Sequence, residues 1–313
     1  MNFNPKISVI MSVSKNYSNF LNLSIESILQ QTFKEFEFII IDDGSIDDTS
    51  EILHTYQKKD NRISVYKQNN QGLASSLNTA ISKSKTNFIA RQDYDDISEI
   101  SRLEKQFNWF NLNKDFVICG TFAHNIDKHN NKIGLTKNVL TYEKHKKYLE
   151  YKNTILHPSV MFKKDAIINV GGYNIKYICS QDYELWTRVI KKYKIANIPE
   201  FLINLRLHDK TTSTILAKNQ RICSFLIGLK YKFESFADLD NYINKHNFMT
   251  FLKNYSNKDK LGMSYFHARK YVYLYEVESF FRIFKLHLFS IFLVLKIYYY
   301  RPTYLIRRLF KLK

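Results

Sequence analysis

The 313-residue sequence predicts an α/β fold, a mostly parallel sheet flanked by helices, followed by a helical and basic C-terminal region. Three observations carry that prediction. Short β-rich runs alternate with helical patterns through the first 120 residues, acids collect where the apolar runs end, and positive charge is weighted toward the C-terminus. Strand, helix, strand in repetition means parallel strands joined by crossover helices, because a parallel neighbour needs a long connection to return to the same end of the sheet.

The elements follow in chain order. Ile7 to Val13 reads as a buried strand and Phe20 to Gln30 as its crossover helix. Phe36 to Ile41 is the second strand and Thr49 to Tyr56 the helix after it, with Asp48 and Glu51 spaced as a capping box. Ile63 to Tyr66 with Leu73 to Ser82 repeat the unit, as do Phe88 to Ala90 with Arg102 to Phe110, and Val117 to Cys119 closes the series. The polar stretch from Asn125 to Asn153 carries no periodicity that assigns it to an element. His157 to Phe162 then reads as a strand, Gly171-Gly172-Tyr173 as a turn, and Gln181 to Arg188 as the opening of a helix. Residues 214–280 read as helices rich in Phe and Tyr.

In an open sheet of this kind, ligands lie beyond the carboxyl ends of the strands. Ser12, Asp42, Asp43, Arg91, Asp93 and Asp95 all fall at such ends. The most informative stretch is Asp93-Tyr94-Asp95. Side chains alternate along a strand, so two carboxylates two residues apart point one way and repel unless a cation or a proton lies between them. Oxygen-only ligands suit a hard cation, Mn²⁺ or Mg²⁺, which keeps positions open for phosphate oxygens. Taken alone, an Asp-x-Asp with a third acid, Asp96, also fits a solvated loop, and Asp42-Asp43-Gly44-Ser45 also fits an ordinary turn. The chain has eight glycines, with no G-x-G-x-x-G after the first strand and no G-x-x-x-x-G-K-[ST] anywhere. That removes the two commonest phosphate cradles, and a protein that must hold a diphosphate without one can do so with a divalent cation, for which Asp93 and Asp95 offer ligands.

A hydrophobic content of 45% marks a globular chain, and 47 basic against 29 acidic residues give +18. The charge is uneven. Residues 221–313 hold 17 Lys or Arg and 6 Asp or Glu, a net +11, against 30 and 23, a net +7, in the first 220. This argues against a nucleic-acid binder and for a local anionic partner of the tail. Residues 280–313 combine short apolar stretches, Tyr298-Tyr299-Tyr300 and basic residues without an acid, while Lys285, His287 and Lys296 break any run of the roughly 20 apolar residues that a membrane span needs. The tail is therefore expected to lie on an anionic inner leaflet, the alternative being a core-packing helix with a solvated basic face. Cys119, Cys179 and Cys223, odd in number and in no C-x-x-C, read as reduced core thiols. Met1 to Lys6 leads straight into a strand without the features of a secretory signal, so the expected location is cytoplasmic, peripheral on the inner face of the cell membrane.

Taken together, several stretches resemble glycosyltransferase family 2, with the GT-A fold: Ile7 to Met11 with Ser12; Ile40-Ile41-Asp42-Asp43-Gly44-Ser45 with Asp47 and Thr49; Gly72-Leu73-Ala74 with Asn78; Ala90 to Ser98; His157-Pro158-Ser159-Val160; and Gln181-Asp182-Tyr183-Glu184-Leu185-Trp186. The resemblance covers roughly residues 5–210 and keeps the family's order. It implies a Rossmann-like GT-A domain over 1–213, with a nucleotide-binding half (1–120) and an acceptor and catalytic half (121–213), before the helical region 214–313. Ser12 and Asp43 would hold the nucleoside, Asp43 accepting from the base, with Asp42 supporting the loop. Arg91 would sit near the phosphates, and Asp93 and Asp95 would form the metal-binding Asp-x-Asp, Asp95 as direct ligand. Asp182 matches the second acid of a Glu-Asp pair, the catalytic base. Gln181 replaces the first acid of that pair, and Ile100 stands where relatives usually carry proline. His208, after Leu205-Arg206-Leu207, matches a histidine that closes over the diphosphate.

The implied activity is metal-dependent, inverting transfer of a sugar from a nucleotide-diphosphate donor, UDP-hexose or UDP-N-acetylhexosamine. The acceptor would be a hydroxyl of a growing lipopolysaccharide, capsule or other surface glycan, free or lipid-linked. Two alternatives stay open at this level. A sugar nucleotidyltransferase would need a glycine-rich loop after the first strand, which Ser12-Val13-Ser14-Lys15-Asn16 is not. A non-catalytic protein of the membrane surface or of nucleic acid would use the basic tail alone.

Overall fold

The computed structural model describes residues 4–14, 20–177, 179–208 and 217–232, all within one compact unit, Met1–Asp238. Its strands are β1 (Ile7–Val13), β2 (Phe36–Asp43), β3 (Ile63–Gln68), β4 (Phe88–Arg91), β5 (Ile97–Ser98), β6 (Phe116–Ile126), β7 (Lys132–Thr136), β8 (Met161–Lys163) and β9 (Lys194–Arg206). The helices are α1 (Phe20–Leu29), α2 (Thr49–Lys59), α3 (Leu73–Lys83), α4 (Arg102–Leu112), α5 (Tyr142–Tyr148), α6 (Lys164–Asn169), α7 (Gln181–Val189) and α8 (Ala217–Lys232). One sheet runs in the order β3-β2-β1-β4-β8-β6-β9-β5, with β7 added on β6.

The first four strands are parallel, as the alternation predicts. Both faces of β2 are buried, so its sequence is mostly apolar, with Glu37 buried near its start, where it accepts from Ser8 Oγ and Lys85 N–H, and Asp42 and Asp43 at its carboxyl end. Alternate residues feed two cores. Ile10, Ile39 and Ile41 pack with Leu77, Phe162 and Trp186 on one face, while Val9, Ile40, Ile25, Leu53 and Phe110 fill the other. The register pairs Ser12 with Ile41 and Val13 with Asp42, which brings the carboxyl ends of β1 and β2 level.

Beyond β4 the sheet becomes mixed, because β8 enters antiparallel between β4 and β6. The strand expected over His157 to Phe162 starts only at Met161. His157–Ser159 form a 3₁₀ turn instead, since Pro158 has no N–H to give to a ladder. The capping box expected at Asp48 does not form. Asp48 sits at φ −68°, ψ −2°, already helical, and Thr49 N–H bonds instead to Asp47 Oδ1 at 3.1 Å. The stretch 125–153 that the sequence left unassigned holds the end of β6, a tight turn at Asp127 to Asn131, β7 and α5, the last capped by Thr141.

β9 runs parallel to β6 and ends at Arg206, and β5 pairs with it antiparallel, Ile97 opposite Asn204. This pairing fastens the turn after β4 to the far end of β9. The three cysteines form no disulfide among the described residues, and Cys179 Sγ donates to Cys223 Sγ at 3.2 Å, joining α8 to the segment before α7. Among the described residues no helix is long and apolar enough to cross a membrane. The tail at 280–313, and the helices expected between 233 and 280, lie outside the described residues.

Candidate active site

The acids after β4 converge, for a reason other than the one the sequence suggested. β4 ends at Arg91, and a turn closed by Asp96 N–H on Asp93 O, at 3.4 Å, brings the carboxylates together rather than the pleat of a strand. One oxygen each from Asp93, Asp95 and Asp96 lie within 4.8 Å of one another. Asp96 was not among the expected ligands. It is buried, accepts Arg206 N–H through Oδ1 at 2.8 Å, and keeps Oδ2 without a hydrogen-bond partner among the described residues. Burial raises the proton affinity of Asp93 above the ordinary carboxylate value, Arg91 opposes that shift, and Asp95 adds to it. Asp96 is held well above that value, by burial first and then by the charges of Asp95 and Asp93. Clustered carboxylates that resist ionisation, with a buried oxygen unspent, fit a hard divalent cation held by Asp93, Asp95 and Asp96.

Polar residues that the sequence gave no role hold this turn. Gln92 Nε2 donates to the carbonyls of Asp93 and Asp96, and Ser24 Oγ from α1 donates to the Asp93 carbonyl at 2.6 Å. Arg102, fully buried in α4, donates to Gln92 Oε1, Ser98 Oγ and the Arg91 carbonyl, and burial pulls its guanidinium down to about 10. Each acceptor left bare by its loss would cost about 1–3 kcal/mol. Arg206 stacks on Phe20 at 4.2 Å and donates to the carbonyls of Asp95 and Asp127. Only a polar residue on an otherwise apolar face, such as Arg102 in the first turn of its helix, could have signalled this scaffold.

The structure brings His208 to the turn, its Nε2 3.2 Å from Asp95 Oδ2 and its ring against Phe20. Arg91 is 2% exposed, pairs with Asp93 through Nη2, and keeps Nε and Nη1 buried without partners among the described residues. Two unspent charged donors beside the acid turn are a place for an anion.

At the ends of β1 and β2 the expected residues separate by task. Ser12 is half-buried at the end of β1. Asp42 is spent on its own loop, accepting Ser45 N–H at 2.9 Å and the Ser50 hydroxyl. Asp43 accepts Gln68 Nε2 and Gln71 N–H through Oδ1 and Gly72 N–H through Oδ2, so it sits where the loops after β2 and β3 meet. That meeting requires Gly44, at φ +75°, where a Cβ would lie 2.7 Å from Asn70 N.

Asp182 lies in the first turn of α7, behind Ser180, whose φ of +55° is unusual for a side-chain-bearing residue. Burial raises the proton affinity of Asp182, opposed by backbone N–H donors, the Arg91 charge and the amide of Asn153, whose Nδ2 lies 2.6 Å from Oδ2. Arg91 and Asp93 both act electrostatically on Asp182, so the base candidate and the acid turn share one site. Gln181, in place of an acid, is buried, and its Oε1 has no partner among the described residues. His157 bonds Tyr173 Oη at 2.8 Å, and burial first, then the Arg91 charge, hold its proton affinity well below that of a free imidazole. Asn78 holds the same Tyr173 through both its backbone groups.

Comparison with known proteins agrees with this geometry. The family described as "Glycosyl transferase family 2" matches residues 8–171. The chain is 39% identical over 216 residues to the O-antigen biosynthesis glycosyltransferase WbnJ of Escherichia coli, a match covering 66% of this chain and 81% of that one. S. aureus TarS 1-349 in complex with UDP-GlcNAc superposes with a TM-score of 0.58 at 16% identity, covering 84% of this chain and 79% of that one. Mannosyltransferase PcManGT from Pyrobaculum calidifontis, in complex with GDP-Man and Mn2+, gives 0.54 at 14% identity, covering 72% and 64%. At those identities the two structures speak for the fold alone. The family match spans more than half the chain and the WbnJ identity extends over two thirds of it, so this chain is a glycosyltransferase and belongs to glycosyl transferase family 2.

Proposed function

We propose that the chain transfers a hexose or N-acetylhexosamine, with inversion, from a UDP-sugar to a hydroxyl of a growing surface glycan such as lipopolysaccharide or capsule. The observation that carries the reading is the meeting of three parts in one site: an acid turn fit for a cation, a buried arginine with two free donors, and a buried carboxylate in electrostatic reach of both. The relative WbnJ, named for O-antigen biosynthesis, supports the class of acceptor, and the neighbours bound to UDP-GlcNAc or to GDP-Man and Mn2+ support a nucleotide-sugar donor and a divalent metal.

Asp43, with Ser12 beside it, receives the nucleoside. Arg91 offers Nε and Nη1 to the diphosphate and stabilises the charge that grows there as the glycosidic bond breaks. Asp93, Asp95 and Asp96 would hold Mn²⁺ or Mg²⁺, which when bound neutralises further charge on the leaving diphosphate. His208 closes over the acid turn from the end of β9. Asp182 removes the proton of the incoming hydroxyl. One base opposite one leaving group gives in-line displacement, and hence inversion at the anomeric carbon.

A panel of nucleotide sugars incubated with the full chain and Mn²⁺, without acceptor, is expected to give slow release of nucleotide diphosphate, fastest from a UDP-sugar and abolished by EDTA. Metal-independent release would remove the cation from the reading, and no release from any donor would overturn the proposed donor chemistry. As a further part of the proposal, the basic tail docks the enzyme on anionic lipid at the inner face of the membrane. A chain ending at Glu278 is then expected to leave the membrane fraction for the soluble one, and an unchanged partition would remove that role from the tail.

A further inference from the structure

Asn153 stands in the stretch that the sequence assigned to no element, yet its side chain reaches the Asp182 carboxylate. Nδ2 donates to Asp182 Oδ2 at 2.6 Å, and Oδ1 of the same amide accepts from Ile155 N–H at 3.2 Å. The second bond settles which end of the amide faces the carboxylate, because turning it over would break both contacts. The segment that carries Asn153 is itself anchored. Thr154 Oγ1 meets His145 Nδ1 of α5 at 2.7 Å, the Thr154 carbonyl accepts from Asn197 of β9 at 2.9 Å, and Thr154 and Ile155 are buried. An amide fastened from a helix and a strand, and aimed at one oxygen of a buried acid, does more than fill a loop.

We infer that Asn153 is the positioning residue for Asp182, holding Oδ2 so that Oδ1 is presented to the incoming hydroxyl. This rests on the reading of Asp182 as the base. Among the described residues no other side chain donates to that carboxylate. The charged and titratable groups that act on it are Arg91 from β4, Asp93 from the acid turn and the Tyr173 hydroxyl, with the N–H groups of Asp182 and Tyr183 from α7 itself. Arg91, the backbone donors and Asn153 favour the ionised form, whereas burial and Asp93 oppose it. Deleting Asn153 therefore both frees the carboxylate to rotate and makes it harder to ionise.

The test is steady-state hydrolysis of the UDP-sugar turned over fastest, water taking the place of the acceptor, in Asn153→Ala and Asn153→Asp. A hydrogen bond to a charged group is worth a factor of about 10–100, so Asn153→Ala should lose about that much kcat near neutral pH with donor KM within about twofold. Its acid limb should move to higher pH, so that part of the loss is recovered in alkaline buffer. Asn153→Asp keeps the shape but sets a second carboxylate against the first, and should lose more with a larger upward displacement. If both variants, folded by their thermal midpoints, lose the same factor at every pH or change only KM, Asn153 is a loop residue and the inference falls. Should the alanine variant not fold, the near-isosteric aspartate variant decides alone. Full turnover by Asp182→Asn would instead strike at the choice of base, a result the Asn153 variants cannot mimic.

Discussion

Asp182→Asn is expected to lower kcat for sugar transfer by about 10²–10⁴-fold, the usual contribution of a placed general base, while donor affinity stays close to that of the parent. The geometry supports both halves. Asp182 accepts from Asn153 at 2.6 Å, and an amide in its place can turn its oxygen to the same donor, so the loop and the first turn of α7 keep their contacts. The residues proposed to hold the donor keep their hydrogen bonds and ion pairs, since Arg91 pairs with Asp93 and Asp43 bonds to the far loops. What is lost is the only group at that position able to take up a proton. The parent's rate should also fall as pH drops through a value above the usual carboxylate range of about 4, because burial raises the proton affinity of Asp182 and only the ionised form can accept. Isothermal titration of UDP with stopped assays of transfer would check both. Full turnover with an unchanged acid limb would move the base to another residue.

The N-terminal half was legible because its signals are local. Ile7 to Val13 and Phe36 to Ile41 are short, mostly apolar and rich in β-branched residues, which reads as buried strand, and Asp42 and Asp43 mark the carboxyl end of the second. The nearness of Asp93 and Asp95 could be read without its cause, since a turn after Arg91 and a strand through Asp93 both predict neighbouring carboxylates, whereas the part of Asp96 in the cluster could not. The supports were not legible. Gln92, Arg102, Arg206 and Asn153 act through carbonyls and carboxylates up to 111 positions away in the chain, and a hydrogen bond at that separation leaves no periodicity. β7 and α5 were missed for a related reason. β7 is an exposed edge with four of its five residues open to solvent, and α5 is seven residues long with three of its last-turn side chains basic, too short and polar for a helical stripe.

Asp95→Ala is expected to damage binding and turnover together, and to do so with an informative signature in stability. The backbone of the turn does not depend on this side chain: the Asp95 carbonyl is held by Arg206 at 2.7 Å, and Gln92 and Ser24 hold the carbonyls on either side. The carboxylate itself faces His208 and lies within the acid cluster. Because the proton affinities of Asp93 and Asp96 are raised in the folded state, their ionisation costs stability as pH rises above the ordinary carboxylate value. Removing Asp95 removes a like charge from both. Without metal, the variant's melting midpoint should therefore equal or exceed that of the parent. With saturating Mn²⁺ the order should reverse, because a ligand that binds only the folded state stabilises by mass action and the variant lacks the carboxylate proposed to bind it directly. Loss of even an outer partner of a metal commonly costs 10–100-fold in affinity, so the Mn²⁺ concentration for half-maximal donor hydrolysis should rise by at least about tenfold, with kcat falling as well. A cluster that only shaped the loop would give one melting midpoint with and without Mn²⁺ in both proteins, and that result would take the cation out of the site.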